Sequence, residues 1–107
     1  MSFNIIASPR FKKEIKKLSK KYPSLKNEFA QLLINLELKP TLGTNIGDNC
    51  FKIRLSIASK NKGKSGGARV ITYVVIVEKV IYLLTIYDKS EQENISDIEL
   101  KNIVKNI

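Results

Sequence analysis

The amino-acid sequence predicts an α+β domain: an N-terminal helix hairpin packed on a twisted antiparallel sheet of about four strands, with a C-terminal helix. Three observations predict this class. Apolar residues recur at helical spacing up to Pro40, residues 50–87 change to a period of two with many β-branched side chains, and a helix-capping pattern begins at Ser96. With 107 residues and no repeat or linker, the chain is predicted to be a single domain spanning residues 1–107.

Two adjacent amphipathic helices are predicted before Pro40. Ser8 is a good N-cap and Pro9 suits the first helical position, while Pro23 ends this first helix. Its apolar face consists of Phe11, Ile15, Leu18 and Tyr22. Ser24 can begin the second helix and Lys39-Pro40 ends it. The apolar stripe of the second helix consists of Leu25, Phe29, Leu32, Leu33 and Leu36.

The remaining elements are read from alternation and capping signals. Phe3–Ala7 is a possible short strand, and residues 43–49 are rich in turn formers. From Cys50, apolar residues alternate with Lys52 and Arg54, which predicts a half-buried strand with a basic outer face. Residues 68–77 and 80–87 are two further strands joined by a tight hairpin, so the three strands form an antiparallel meander. Ser96 and Glu99 form a capping box for the final helix, flanked by an Ile95 to Leu100 staple.

Charge and composition restrict the function classes. The chain carries 19 Lys and Arg against 10 Asp and Glu, a net charge of +9, which predicts attraction to nucleic acid, an acidic protein or an anionic membrane. Its apolar runs are too short to cross a bilayer, and its start does not look like a secretory signal. Cys50 is the only cysteine and is interpreted as a small buried hydrophobe, so a reducing cytoplasm is expected. The absence of histidine removes the commonest proton shuttle and metal ligand.

A basic, glycine-rich loop lies in the middle of the chain, in the stretch KNKGKSGGARVITY that begins at Lys60. A P-loop is excluded because Ala58 stands where that motif needs glycine, and because a strand follows instead of a helix. Residues 49–77 contain six basic residues and no acidic one. Hairpin pairing should bring these cations to one end of the sheet, where a solvated basic face and a phosphate-binding surface are both possible. These residues are Lys52, Arg54, Lys60, Lys62, Lys64 and Arg69.

The lysines of the first helix lie opposite its apolar stripe, where solvated charge is expected. They are expected to raise non-specific affinity for RNA or to meet an acidic partner, and to have no chemical role. Among the tyrosines, Tyr87 is the best candidate for a functional role because it stands at a strand end, beside Asp88 and Lys89.

Three segments resemble the RelE/HigB branch of the RelE/ParE toxin superfamily. They are Cys50–Leu55, the Lys-x-Lys-Gly-Lys-Ser-Gly-Gly-Ala-Arg segment that ends at Arg69, and residues 83–91, LLTIYDKSE. The resemblance extends over nearly the whole chain. It implies the toxin of a type II toxin–antitoxin module: a ribosome-dependent endoribonuclease that needs no metal or other cofactor and cleaves mRNA codons in the A site.

The resemblance also implies site residues. The strand pair of basic residues falls on Lys52 and Arg54, the arginine of the following strand on Arg69, and the basic residue after the last strand on Lys89. A catalytic tyrosine that some members carry near the C-terminus has no counterpart around residue 95, and Tyr87 is the remaining candidate. The loop lysines are predicted to bind RNA: Lys60, Lys62 and Lys64.

The chemistry implied is attack of a ribose 2′-hydroxyl on the adjacent phosphate. Arginine suits a phosphate clamp because it stays protonated, and Lys52 or a loop lysine is a possible base. The expected partners are the ribosome, mRNA and a cognate antitoxin of the HigA type with a helix-turn-helix, with no membrane. Two alternatives remain open: a ParE-like inhibitor of DNA gyrase without catalysis, and a basic RNA-binding module.

Overall fold

The computed structural model describes residues 3–60 and 66–107, and within them the predicted α+β class is confirmed. Both helices of the hairpin, the three strands of the meander and the C-terminal helix are present. In chain order the elements are β1 (Asn4–Ala7), α1 (Pro9–Lys21), α2 (Leu25–Leu38), β2 (Thr44–Gly47), β3 (Cys50–Leu55), a 3-10 turn (Ala58–Lys60), β4 (Ala68–Val75), β5 (Val80–Asp88) and α3 (Asp97–Lys105).

The helix termini follow the capping residues of the sequence. The Ser8 hydroxyl accepts a hydrogen bond from the Phe11 N–H at 3.1 Å, and the Ser96 hydroxyl accepts one from the Glu99 N–H at 3.1 Å. Ser24 precedes α2 but makes no side-chain cap; its hydroxyl contacts Ser59 at 2.9 Å instead. The polar side chain at the start of α2 therefore fastens the 3-10 turn to the helix.

The sheet has the order β1-β5-β4-β3-β2 and is mixed. The meander is confirmed, since β4 pairs antiparallel with both β3 and β5. Two features differ from the sequence prediction. β1 adds to the free side of β5 in parallel, and Thr44–Gly47, read as a turn, forms a fifth strand beside β3.

The second difference has a local cause. β2 has four residues, most of them exposed, so it lacks the apolar alternation that marks a strand. Asp48 and Asn49 both adopt positive φ, 54° and 61°, which is the backbone of a two-residue hairpin turn.

The turn between β4 and β5 is also longer than predicted. Residues 76–79 form it, and the Lys79 N–H bonds the Ile76 carbonyl at 3.1 Å.

The sheet separates two apolar clusters. Helices α1 and α2 cover one face, the hairpin face, where Phe11, Leu25 and Leu36 pack with Ile53 and Val70. On the opposite face, the α3 face, Leu100 packs with the apolar residues Cys50, Ile71, Leu84 and Tyr87. The interpretation of Cys50 as a buried hydrophobe is confirmed: it is fully buried, and burial raises the pKa of its thiol to about 11.

Helix α1 also closes the part of β5 that β1 does not reach. The Ser8 hydroxyl donates to the Leu84 carbonyl at 2.9 Å. One Glu14 carboxylate oxygen accepts from the Thr85 hydroxyl at 2.6 Å and from the Ile86 N–H at 3.2 Å. These bonds satisfy backbone groups that an uncovered strand edge would leave exposed.

Candidate functional site

Three predicted site residues lie in one row across the sheet. In the strand register Arg54 of β3 is opposite Arg69 of β4, and Arg69 is opposite Tyr87 of β5. Adjacent strands lie about 4.8 Å apart, so the row spans about 10 Å at the backbone. Ile53 and Val70 belong to the cluster under the helix hairpin, and neighbouring side chains alternate between faces. Arg54 and Arg69 therefore point to the α3 face, where Tyr87 also packs.

The row is exposed at one end and buried at the other. Arg54 is exposed, whereas Arg69 is 4% and Tyr87 6% accessible. The basic outer face was predicted for β3, and Arg54 lies on it, whereas Arg69, expected among the cations at one end of the sheet, is buried. Arg69 lies on β4, which is central and has β3 and β5 as neighbours. Arg54 lies on β3 beyond Lys52, where the described pairing with β2 has already ended, so its side chain is more exposed.

The charges of the row perturb one another. Burial, and after it the positive charge of Arg54, lowers the pKa of Arg69, whose guanidinium donates to the Ala68 carbonyl at 3.1 Å. A negative group between the two guanidinium groups would relieve this repulsion. Like charges on directly opposed residues destabilise a strand pair, and a neighbouring positive charge lowers the pKa of a cation.

The Tyr87 hydroxyl is buried and has no hydrogen-bond partner within residues 3–60 and 66–107. Burial raises the pKa of Tyr87 despite the opposing effect of Arg69, and Glu99 raises it further. The phenol therefore keeps its proton at neutral pH and has a free donor beside a guanidinium group.

Two further predicted residues flank the row. Lys52 precedes Arg54 by two positions on the same face, and its ammonium group donates to Asn94 Oδ1 at 3.2 Å. Lys89 follows β5; its backbone N–H bonds the Gly67 carbonyl at 3.0 Å and its ammonium group lies 3.5 Å from Glu93 Oε1. Lys52 thus lies on the same strand as Arg54, and Lys89 lies two residues after Tyr87. Neither of these contacts assigns a chemical role to the amine.

Lys60 has a different environment from the one expected of an RNA-binding lysine. Its ammonium group lies 2.5 Å from Asp88 Oδ1, with the two side chains 5% and 0% exposed. It is also 5.4 Å from the centre of the Tyr22 ring. The prediction that Lys60 contacts RNA stays a prediction. In the structure, the Lys60 ammonium group pairs with Asp88 of the same chain. Lys62 and Lys64 lie outside the described residues.

Sequence reasoning missed two structural acids. Asp88 accepts from Lys60, from the Tyr22 hydroxyl at 2.7 Å and from Ser90. Although burial alone would raise the pKa of Asp88, these hydrogen bonds hold it well below its ordinary value. Glu14 could have been found, because it lies three residues after Phe11 and four before Leu18, inside the apolar stripe of α1.

Across the described ranges, no three His, Cys, Asp or Glu side chains come close enough together to hold a metal ion. No helix in that part of the chain is both long and apolar enough to cross a bilayer.

The arrangement is that of a small basic domain with a cationic row on a meander sheet. A model of the family described as "RelE toxin of RelE / RelB toxin-antitoxin system" matches residues 11–106. The chain therefore belongs to the RelE toxin family, whose members are the toxins of type II toxin–antitoxin modules. The resemblance read from the sequence is confirmed at this level, while the HigB subgroup stays a prediction.

Solved structures of Escherichia coli RelE have the same fold. A doubly substituted RelE in the free state has a TM-score of 0.66 at 18% identity, covering 100% of this chain and 99% of that one. A chain of the intact E. coli RelBE toxin-antitoxin complex has a TM-score of 0.61 at 17% identity, covering 81% of this chain and 96% of that one. The RelE variant bound to the RelBc antitoxin peptide gives 0.61 at 19% identity, over 91% and 98%.

Proposed function

We propose that this RelE-family toxin is a metal-independent endoribonuclease that cuts mRNA codons in the ribosomal A site. The row of Arg54, Arg69 and Tyr87 is the observation that carries the proposal. It places two cations and a protonated phenol next to one another on the α3 face of the sheet, and these are groups that can serve in-line cleavage of a phosphodiester in the absence of histidine.

In the proposed reaction the ribose 2′-hydroxyl loses its proton to a base and its oxygen forms a bond to phosphorus. The bond from phosphorus to the 5′-oxygen breaks, the electron pair stays on that oxygen, and a proton neutralises it. Arg54 and Arg69 bind the phosphate oxygens, on which negative charge increases in the transition state. Tyr87 is the candidate donor of the proton to the 5′-oxygen, because its phenol is protonated at neutral pH and its hydroxyl has no hydrogen-bond partner among the described residues. Lys52 is the candidate base.

The ribosome is part of the proposal for a physical reason. The row offers no obvious strong base, so substrate positioning must supply much of the rate. Pre-orientation of reacting groups can contribute about 7–11 kcal/mol in favourable cases. An A-site codon held in line for attack would receive that contribution from the ribosome.

The proposal includes a cognate antitoxin. In E. coli, RelE is found bound to RelB and to a RelB-derived peptide. By analogy the present chain is expected to be neutralised by a protein, and the HigA type with a helix-turn-helix is the specific prediction.

Primer extension on message recovered from a translating extract tests the activity. We expect breaks within codons that require ribosomes, and little cleavage of free RNA by the purified protein. Arg54→Ala should reduce cleavage about a hundredfold, the effect of removing one transition-state donor. Lys39→Ala removes the same charge from the exposed end of α2 and should cut normally.

Uncut message would reject the nuclease. If gyrase supercoiling then failed in the presence of the protein, the ParE-like alternative would replace it; with normal gyrase only a binding module would remain. Equal losses in Arg54→Ala and Lys39→Ala would move the site away from the row.

A further inference from the structure

A groove of about 570 Å³ runs along the edge of β3 that faces away from β4. It is lined by residues 52–56, by residues 42–44 and by one side of α2, and is here named the β3-edge groove. Ligand sites typically have volumes of about 300–1,000 Å³, so this groove is large enough for a small ligand. Arg54 belongs both to its lining and to the row with Arg69 and Tyr87, so the groove adjoins the row.

Strand β3 presents unpaired main-chain groups to the groove. The Asn49 carbonyl accepts from the Val74 N–H at 2.9 Å, and the bonding side of an antiparallel strand alternates from one residue to the next. Arg54 therefore directs its N–H and C=O away from β4, to the side where the pairing with β2 has ended at Lys52. In the described parts of the chain these two groups have no hydrogen-bond partner. The groove thus contains a main-chain donor and acceptor in fixed positions.

Two amide side chains of α2 line the opposite wall of the groove. Gln31 and Asn35 are one helical turn apart, and Gln31 Nε2 donates to Asn35 Oδ1 at 3.2 Å. This bond orders the pair and leaves the Gln31 carbonyl oxygen as an acceptor and the Asn35 amide as a donor. A donor beside an acceptor matches the edge of a nucleobase, which Asn and Gln side chains recognise in nucleic-acid complexes.

The base of the groove is apolar and preformed. Leu32 and Ile53 are buried there, so the flat face of a nucleobase could rest on aliphatic carbon. Gly43 has a φ of 103°, and a Cβ at this position would lie 2.6 Å from the Lys52 carbonyl oxygen. The absence of a side chain at residue 43 therefore allows the segment to pack closely against β3 and fixes this part of the groove.

The charge of the groove is positive. Glu28 is the one acid among its lining residues, and its carboxylate accepts from the Ala58 N–H at 2.6 Å and from the Ser24 hydroxyl at 3.2 Å. Lys52 and Arg54 are the two cations of the lining. A ligand that carries a negative charge at the Arg54 end of the groove is therefore favoured.

An extended peptide can also pair with an open strand edge, but the edge is too short for that here. β3 ends at Leu55, so Arg54 is the one residue of the strand that directs main-chain groups outward beyond the pairing with β2. Peptides that add a strand take their affinity from a series of main-chain hydrogen bonds. One donor and one acceptor suit a single base better than a strand.

We propose that the β3-edge groove binds the unpaired base of the message nucleotide whose phosphate lies at Arg54, and that Gln31 and Asn35 determine which base is accepted. Sequence-specific recognition of RNA commonly reads the hydrogen-bonding edges of bases in single strands. The phosphate is held at the row while the base enters the groove between α2 and β3. The inference rests on the proposed function in that it takes the message as the ligand.

Titration of the isotope-labelled protein with four RNA trinucleotides, followed by NMR, tests binding apart from cleavage. The trinucleotides carry 2′-O-methyl groups, which remove the attacking hydroxyl, and they differ only in the central base. We expect shifts of the side-chain amide signals of Gln31 and Asn35 and of the backbone signal of Arg54, with one base bound most tightly. Asn35→Leu should weaken the binding of that base about tenfold, the effect of losing one base-reading contact.

Asn27→Leu is the matched control for this variant. Asn27 is also an exposed asparagine of α2, but it lies outside the groove. Because leucine has a higher helix propensity than asparagine, neither variant should melt below the wild type. The control should keep the wild-type affinities and, on translating ribosomes, the wild-type distribution of cut sites. Asn35→Leu should cut with a broader distribution of bases at the cut site.

Three results would overturn the base-binding groove. They are equal affinities for all four trinucleotides, shifts confined to Arg69, Tyr87 and their neighbours, and equal affinities in Asn35→Leu and Asn27→Leu. Binding of an acidic extended peptide along residues 52–56, without binding of any trinucleotide, would replace it with a peptide site. Failure of the proposed nuclease is a different result, in which the trinucleotides bind in the groove while ribosome-bound message stays intact.

Discussion

Arg54 and Arg69 stand directly opposite each other, although like charges in this position destabilise a strand pair. The buried Tyr87 hydroxyl beside them also lacks a partner within the described residues. Both features cost stability in the free protein. In the function proposed above, these are the groups that would contact a bound phosphate.

Removal of the phenolic oxygen should therefore have opposite effects on stability and activity. Tyr87→Phe deletes a buried, unsatisfied group, whose desolvation costs about 1–3 kcal/mol, so the free energy of unfolding should rise by about 1 kcal/mol. Cleavage of ribosome-bound message should fall at least tenfold if the phenol donates a proton, since general acids contribute about 10²–10⁴-fold. Denaturant unfolding and primer extension on the same preparations measure both.

Thr72→Val is the matched control for that variant. The Thr72 hydroxyl of β4 is likewise buried and has no partner within residues 3–60 and 66–107, but Thr72 is outside the row and opposite Phe51 and Leu83. It should gain stability in the same way and cut normally. Full activity in Tyr87→Phe would remove the phenol from the mechanism, and equal losses in both variants would point to a packing effect.

At the element scale, a buried polar cluster fastens the 3-10 turn to the rest of the fold. Lys60 bonds Asp88 at the end of β5, and the Tyr22 hydroxyl after α1 bonds the same carboxylate. On the other side of the turn, Glu28 of α2 accepts from the Ala58 N–H at 2.6 Å. The 3-10 turn, the end of β5, the C-terminus of α1 and helix α2 are thus connected next to Tyr87 and Lys89.

Asp88→Asn should destabilise the protein strongly. It leaves the Lys60 ammonium group buried without its counter-charge, and breaking a buried ion pair from one side costs about 3–5 kcal/mol. Glu91→Gln is the control, because its pair with Lys21 is exposed and should contribute nothing measurable. Denaturant unfolding at pH 7 compares the two, and a loss no larger for Asp88→Asn than for Glu91→Gln would contradict a structural role for the cluster.

The same carboxylate predicts a pH dependence of stability. The pKa of Asp88 is depressed in the folded protein, while in the unfolded chain it is about 3.9. Its contribution is therefore complete above that unfolded value and is lost as pH falls toward the folded pKa. The gap in unfolding free energy between wild type and Asp88→Asn should be constant from pH 7 to about 5 and shrink below about 4. A gap that does not narrow in acid would show that the carboxylate is not the stabilising charge.

At the scale of the whole molecule, the chain has a net charge of +9, and several of the lysines of α1 are exposed. Such a field accelerates the encounter with an acidic partner and is screened within about 10 Å at 0.1 M salt. The cognate antitoxin of the proposal should therefore associate fast at low salt. Stopped-flow association rates should fall as salt rises from 0.05 to 0.5 M, with roughly constant dissociation rates. Rates independent of salt would indicate a mainly apolar interface.

The sequence by itself determined the local elements. Ser8-Pro9, Pro23 and Lys39-Pro40 bound the two helices, and alternation from Cys50 marks the first strand of the meander, because capping and side-chain periodicity act over a few residues. The cluster of basic residues is visible in the charge distribution of the sequence, and its assignment as a candidate site comes from the family resemblance. β1 was also found, but its parallel pairing with β5 could not be, since no local signal encodes a partner about 75 residues away.

Only the tertiary structure decided which cations share a surface. In the sequence, Lys60 and Arg69 are both cations of the same basic segment. In the structure, Lys60 forms a buried ion pair with Asp88, whereas Arg69 lies between Arg54 and Tyr87 in the strand register. β2 has too few apolar residues for its sequence to predict a strand, and its pairing with β3 stabilises it. Burial, strand register and the choice of face depend on contacts between distant segments, and these long-range contacts exist only once the chain has folded.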